Sequence, residues 1–492
     1  MLLLDCIETN QEVFKMVNFT IDKNKNTPLY IQIFNQFKKY IENGSIPQGY
    51  KLPTIRSLAK ELGVNNITVI NAYKLLELNG YVNKKVGSGT YVSQDIKQND
   101  LTREDIKALE HGQILLNKNM INFSSSSPNP ELFPVDDFKI IINKVLERDG
   151  GYAFEYQDTK GYMPFRKSIC EFIKKDEIDI DYEDVQVISG GQQGIDVVSK
   201  ALINFGDCVF VESPTYSWAI ASFKSRGAEI VDVALNKDGI DIDELEEKLK
   251  IFKPKLIYTM PVFQNPTGIS YSEDKLKKLI ELAYKYDTYI VEDDFSNELN
   301  FSSNKHLPLK SYDKYDRVIY IKSFSKIYMP GLRLGFIVSP KNLVNSFAEA
   351  KYVSDLSTSG LMQRAFEIYL REGIWKKHIE RFKKIMRERF DEMKYLLSGN
   401  KYFEVNIPDG GFYFWLKLND DISAKKLYLK CIERNVSIVP GNMFFSNKVD
   451  DSHIRLSYAS CEADKMKSGI STLNDILKDI HNEENSEYIP IV

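Results

Sequence analysis

No stretch of this 492-residue chain strings together the ~20 apolar residues that a membrane-crossing helix requires, so no membrane anchor is expected. The opening Met1-Leu2-Leu3-Leu4-Asp5-Cys6 turns acidic and polar after a short apolar start. It lacks the basic stretch and small-residue cleavage site of a secretory signal, and secretion is not expected. Cysteine is scarce. Cys6, Cys170, Cys208, Cys431 and Cys461 are odd in number, scattered, and in no CxxC or Cys/His ligand spacing. This points away from a disulfide framework and from a metal site, and it fits a reducing cytoplasm. Charge is also low, −4 overall, but unevenly spread: residues 27–92 carry eight Lys/Arg against three Glu, a local +5 that leaves −9 elsewhere. The first segment is therefore expected to meet an anion, with DNA the obvious candidate.

What is present reads as several domains, since single cores rarely exceed about 250–300 residues. Residues 1–26 are weakly patterned, and either Met1 or Met16 is compatible with a start; no function is expected of this extension. From Pro28, apolar residues at Tyr30, Ile33, Phe34, Phe37 and Ile41 form a helical stripe closed by Gly44. TIRSLAKELG, with Thr54 as N-cap and Gly63 as stop, predicts a second helix, and NNITVINAYKLLELNG a third. Two short helices about one Gly-containing turn have helix-turn-helix spacing. YVNKKVGSGTYVS then predicts two short strands around Lys84, Lys85 and the Gly87-Ser88-Gly89 turn, a basic wing. Residues 93–119 read as a polar linker with a mildly helical EDIKALEHGQILL.

Beyond residue 120 the pattern alternates strand and helix to about residue 345, as a parallel sheet with helices on both faces does. VQVISGG, CVFVESP, KLIYTMP, TYIVEDD and RVIYIKS are the strand candidates, and ligands bind at the carboxyl ends of such strands. Each end carries a usable group. Gly191 and Gln192 open a helix whose free amides suit a phosphate. Tyr216 offers a ring to stack on a flat heteroaromatic, Asn265 a hydrogen bond to a ring oxygen, and Asp293-Asp294 a carboxylate for a pyridine nitrogen. In RVIYIKSFSKIYMPGLRLGFIVS, Lys326 interrupts two apolar runs, with Ser323 and Ser325 in reach and Arg333 seven residues on. A lysine so placed can hold an aldehyde as a Schiff base while hydroxyls and guanidinium grip a phosphate, which describes pyridoxal 5′-phosphate. Any one of these would more often be a cap or turn residue; the five in order at five strand ends are what carries the reading.

Two resemblances follow from these motifs. LPTIRSLAKELGVNNITVINAYKLLELNGYV with GSGTYV resembles the winged-helix domain of the GntR family. That resemblance puts Arg56, Thr68, Tyr73 and the wing glycines Gly87 and Gly89 at or near a phosphate backbone. Where that family usually has Ser-Arg, this chain has Asn65-Asn66, and since Asn pairs with adenine an A·T-rich operator is expected. From about residue 120 to 480, NPTG, SFSK and LRLGF, supported by GGQQG and SPTY, resemble the fold-type I, class I/II aminotransferases, leaving 481–492 as a tail. The resemblance implies that Lys326 carries the cofactor, Asp293 faces its ring nitrogen, Asn265 meets the ring hydroxyl and Tyr216 stacks. It implies a phosphate grip by Ser323, Ser325, Arg333 and the Gly191 and Gln192 amides, and a substrate carboxylate site at Arg455 of HIRLSYAS. It also implies a homodimer, with Tyr156 of YQDTKG crossing to the partner. Two positions depart from that pattern: Phe295 stands where relatives have tyrosine, and Ser126 where they usually have glycine.

A GntR-type head on an aminotransferase-like body resembles the MocR subfamily of transcription regulators, which implies a body that senses the cofactor or an amino-compound effector. The alternatives are a working aminotransferase carrying a DNA-binding head, and a head that has lost DNA binding through Asn65-Asn66.

Overall fold

The computed structural model describes residues 19, 21, 29–42, 45–78, 81–85, 89–93, 120–447 and 450–486. The chain divides into two compact units, Met1–Ala108 and Leu109–Val492. Gly44, Gly87, the helical segment expected in the linker and the end of the tail lie outside the described residues.

In the first unit, helices Leu29–Glu42, Ile55–Leu62 and Asn66–Leu78 pack around a core that includes Ile33, Phe37, Leu58, Val69 and Leu76. The helix-turn-helix forms because its caps are local. Thr54 Oγ1 accepts from the Ser57 amide at 3.2 Å, and Gly63 ends the helix in a left-handed conformation, φ 61°. Strands Val82–Lys85 and Gly89–Val92 pair antiparallel, Lys85 opposite Gly89, as the expected wing. Ser93, assigned above to the linker, belongs to this unit: it is buried and its amide donates to the Tyr81 carbonyl at 3.0 Å.

The second unit is built on an eight-stranded sheet in the order Val185–Ile188, Gly335–Val338, Val318–Ser323, Tyr289–Asp294, Leu256–Thr259, Cys208–Ser213, Glu229–Asn236, Gly239–Ile240. All five strands read from the sequence are present. Their near-continuous apolar runs are explained by burial on both faces: helices Gly191–Leu202, Ser217–Ser225 and Val344–Asp355 cover one core, and Ile242–Ile251 and Glu273–Lys285 the other. Val318–Ser323, Tyr289–Asp294, Leu256–Thr259, Cys208–Ser213 and Glu229–Asn236 run parallel. Gly335–Val338 runs against its neighbours, because the short loop holding Lys326 returns the chain directly beside Val318–Ser323.

A second, antiparallel sheet combines Phe403–Asn406, Tyr413–Leu418, His453–Ser457 and Val439–Pro440. Ile121–Asn122 pairs with Val436–Ser437, and the Ser457 amide donates to the Phe123 carbonyl at 2.7 Å. These links carry the Ser124–Ser127 segment to the carboxyl ends of the main sheet.

Candidate cofactor site and nucleic-acid interface

At those carboxyl ends lies a cavity of about 290 Å³. Its lining unites residues spread over more than 280 positions: Ser126, Gly191, Gln192, Tyr216, Asn265, Asp293, Ser323, Ser325, Lys326 and Arg333 from the expected set, with Met260, Phe295 and Tyr413 beside them.

Part of the lining is cationic and rich in donors. Helix Gly191–Leu202 begins in the lining with Gly191 and Gln192, so the positive end of its dipole lies at the cavity. Arg333 donates to Ser325 Oγ at 3.2 Å and to the Ser189 carbonyl at 2.6 Å. Its backbone is left-handed, φ 52°, an uncommon state for a residue other than glycine, of the kind that gathers at binding sites. Gly190 has φ 98°, and a Cβ there would stand 2.5 Å from Arg333 Nη2, so only glycine both adopts this turn and leaves the guanidinium in place. Ser323 Oγ accepts from the Ser325 amide at 3.2 Å, fixing the loop just before Lys326.

The lining also carries an acid. Along Tyr289–Asp294 successive side chains take opposite faces. Asp293 faces the cavity, while Asp294 accepts from Tyr320 Oη at 2.6 Å and Lys322 Nζ at 2.9 Å on the other side. Burial pushes the Asp293 carboxyl up to about 6, opposed by a 2.7 Å hydrogen bond from Tyr258 Oη. Sequence reasoning missed Tyr258; the signal was a lone phenol in the apolar run KLIYTMP.

Asn265 Oδ1 accepts from Arg455 at 2.8 Å, which leaves the Asn265 amide N–H groups to donate elsewhere. The Arg455 guanidinium is completely buried, donates also to the Ser124 carbonyl at 2.7 Å, and lies 4.3 Å from the Tyr413 ring and 5.0 Å from the Phe444 ring. Neither aromatic stood out in the sequence. Phe295 brings no hydroxyl to the cavity; its half-buried ring tilts against Tyr413, centroids 6.0 Å apart. Tyr156 lies apart from the cavity and is 85% exposed. An amine, an acid, a flat ring and a phosphate-type cradle around one cavity are the donor set that pyridoxal 5′-phosphate needs, so the residues present fit that group.

On the first unit, Arg56, Asn66 and Lys84 are exposed and Thr68 half-exposed. One expected DNA contact is corrected by its partner. Tyr73 is only 6% exposed and its hydroxyl donates to the Pro53 carbonyl at 2.8 Å, making it a core residue. Asn65 is exposed like Asn66, and its Oδ1 accepts from the Ile67 amide at 3.0 Å, capping the third helix. Lys51, not singled out in the sequence, lies beside the wing, its Nζ 5.7 Å from the Tyr91 ring centroid, with its stem against Gly89.

Comparison with known proteins agrees with this geometry. Residues 29–92 match the bacterial regulatory proteins of the gntR family, and residues 118–473 match aminotransferase class I and II. Aromatic-amino-acid aminotransferase 1 of Thermococcus litoralis is 34% identical over 77% of this chain and 91% of its own length. The HTH-type transcriptional regulator YdfD of Bacillus subtilis, itself uncharacterized, is 29% identical over 93% of this chain and 98% of its own. The crystal structure of Pyrococcus horikoshii kynurenine aminotransferase superposes with a TM-score of 0.72 and 33% identity, covering 77% of this chain and 94% of that one. The chain therefore belongs to the class I and II aminotransferase family and, with a gntR-family head on that body, to the MocR subfamily of GntR-type transcription regulators.

Proposed function

We propose that this chain is a DNA-binding transcription regulator, acting in the cytoplasm, whose body holds pyridoxal 5′-phosphate and reads the cofactor, or an amino compound presented to it, as its signal. The observation that carries the reading is the complete cradle around Lys326 on the same chain as a basic winged helix. In this reading the Lys326 amine holds the aldehyde, and Ser323, Ser325, Arg333 and the Gly191 and Gln192 amides hold the phosphate. Tyr216 covers the ring, Asn265 donates to its hydroxyl, and Asp293 keeps a proton on its nitrogen. Bound there, the cofactor supplies an aldehyde for amines and an electron-withdrawing ring.

Arg455 is the partner for an effector carboxylate, approached past Ser126, and a guanidinium suits that bidentate task. An effector changes DNA binding only through unequal affinity for two conformations, and closure over Arg455 is the one we favour. Exposed Tyr156 is assigned to the partner subunit's cofactor phosphate in a homodimer. On the head, Arg56, Thr68, Lys84, Lys85 and Gly89 are assigned to the DNA backbone and Asn66 to a base edge.

The test is a mobility-shift assay on the chain's own upstream DNA, with and without cofactor and a panel of amino acids. A shift that responds to neither overturns the regulatory reading. A second reading, a working aminotransferase, is favoured by the coexistence of Lys326 and Arg455. Phe295 and Ser126 argue for slow turnover, and repeated conversion of an amino acid on addition of a 2-oxo acid would decide for the enzyme.

A further inference from the structure

Glu212, next to last in strand Cys208–Ser213, is completely buried, and among the described residues no cation pairs with it. Burial pushes its carboxyl up. What surrounds it instead is five hydrogen-bond donors. Oε1 accepts from Thr259 Oγ1 at 2.5 Å, Tyr271 Oη at 2.6 Å and the Met260 amide at 3.0 Å. Oε2 accepts from Gln264 Nε2 at 3.0 Å and Thr215 Oγ1 at 3.4 Å. A carboxylate buried without a cation is costly, and an apolar side chain would pack this strand more cheaply if packing were all that was needed.

Two of these donors stand next to residues that line the cavity. Thr215 precedes Tyr216, and Gln264 precedes Asn265. Gln264 ties the loops together a second time, donating to the Pro214 carbonyl at 2.8 Å while its Oε1 accepts from the Thr267 amide at 3.0 Å and from Thr267 Oγ1 at 2.7 Å. With Oε1 so used, its Nε2 must face Glu212, which leaves Glu212 no room to act as donor there.

We propose that Glu212 is a positioning residue for the cofactor, its single carboxylate fixing Tyr216 and Asn265 at one spacing across the cavity. The proposal rests on the reading that the cavity holds pyridoxal 5′-phosphate. Replacing Glu212 by Gln puts N–H groups where only acceptors fit, so one loop must move away. Tyr271→Phe removes one donor without touching the cavity.

The experiment titrates cofactor-free full-length protein with pyridoxal 5′-phosphate, following tryptophan fluorescence, the visible absorbance of the lysine-bound cofactor and the pH midpoint of that absorbance, with urea unfolding alongside. Glu212→Gln is expected to weaken binding about tenfold or more and to move the pH midpoint by at least about half a unit. Tyr271→Phe should move both in the same direction by less. Lowered urea stability with unchanged affinity and midpoint in both variants would show packing alone and overturn the proposal. If Glu212→Gln does not fold, Tyr271→Phe decides by the same readouts. If the wild-type protein takes up no cofactor, the reading of the cavity fails and the proposal with it; if the wild type binds and the variants match it, the proposal alone fails.

Discussion

The phenol of Tyr258 donates to Asp293 Oδ2 across 2.7 Å, from one parallel strand to the next, with both residues buried. Burial pushes the acid up to about 6 and the phenol holds it from rising further. In cofactor-free protein Asp293 is thus protonated below about pH 6, whereas a cationic ring nitrogen requires the carboxylate. Affinity for pyridoxal 5′-phosphate is expected to be level above pH 6 and to fall toward tenfold per unit below it. Because the folded value is raised, the same group stabilises cofactor-free protein at low pH, and that contribution is lost as pH rises through about 6. Titrations at several pH values, with Asp293→Asn to remove the inflection and separate it from phosphate protonation, check both signs. An unchanged inflection in Asp293→Asn assigns it elsewhere.

Lys326→Ala should abolish the visible absorbance of lysine-bound cofactor, since Lys326 lines the same cavity as the phosphate-type cradle and Asp293. The cradle remains, so weaker non-covalent uptake is compatible; an unaltered spectrum is not.

On the head, Lys84→Ala is expected to weaken binding to all DNA sequences alike and to reduce the salt dependence by about one counterion. Asn66→Ala should instead change sequence preference in a selection from random duplexes. Tyr73→Phe separates core from interface: losing the bond to Pro53 should cost about 1 kcal/mol of stability with DNA affinity kept. Urea melts and binding isotherms distinguish these outcomes.

Arg455→Lys keeps the charge but loses the two-pronged geometry, so response to an amino-acid effector should fall while cofactor uptake persists. The phosphate-type cradle lies on other segments, around Gly191 and Ser323–Arg333. Stopped-flow spectra with an amino-acid panel read the first effect and cofactor titration the second. Simultaneous loss of both contradicts the division of labour between Arg455 and the cradle.

Much of the site was legible because strand ends in a parallel sheet are marked locally: an apolar run, then Gly, Pro or a polar residue. The groups around Lys326 could be placed on one edge before their neighbours were known. Tyr258 and Glu212 were not legible, because each lies within a strand and its role depends on which strand comes alongside, a non-local fact. Tyr73 was misplaced because family position says where a residue stands along a helix, not whether its polar atom is already engaged. The antiparallel sheet that holds Arg455 went unread in part because its edge strand Val439–Pro440 is too short to show a period.

Gly190 and Arg333 give the cradle an unusual kind of information. A methyl group at position 190 would not collide with rigid backbone; it would meet the tip of a flexible guanidinium and push it from the Ser189 carbonyl, while straining the turn by about 1–3 kcal/mol. The chain would still fold, but its anion grip would open. Part of the recognition written into this protein is thus carried by an atom it leaves out, and a lineage that gains that atom can lose its ligand while keeping every residue that touches it.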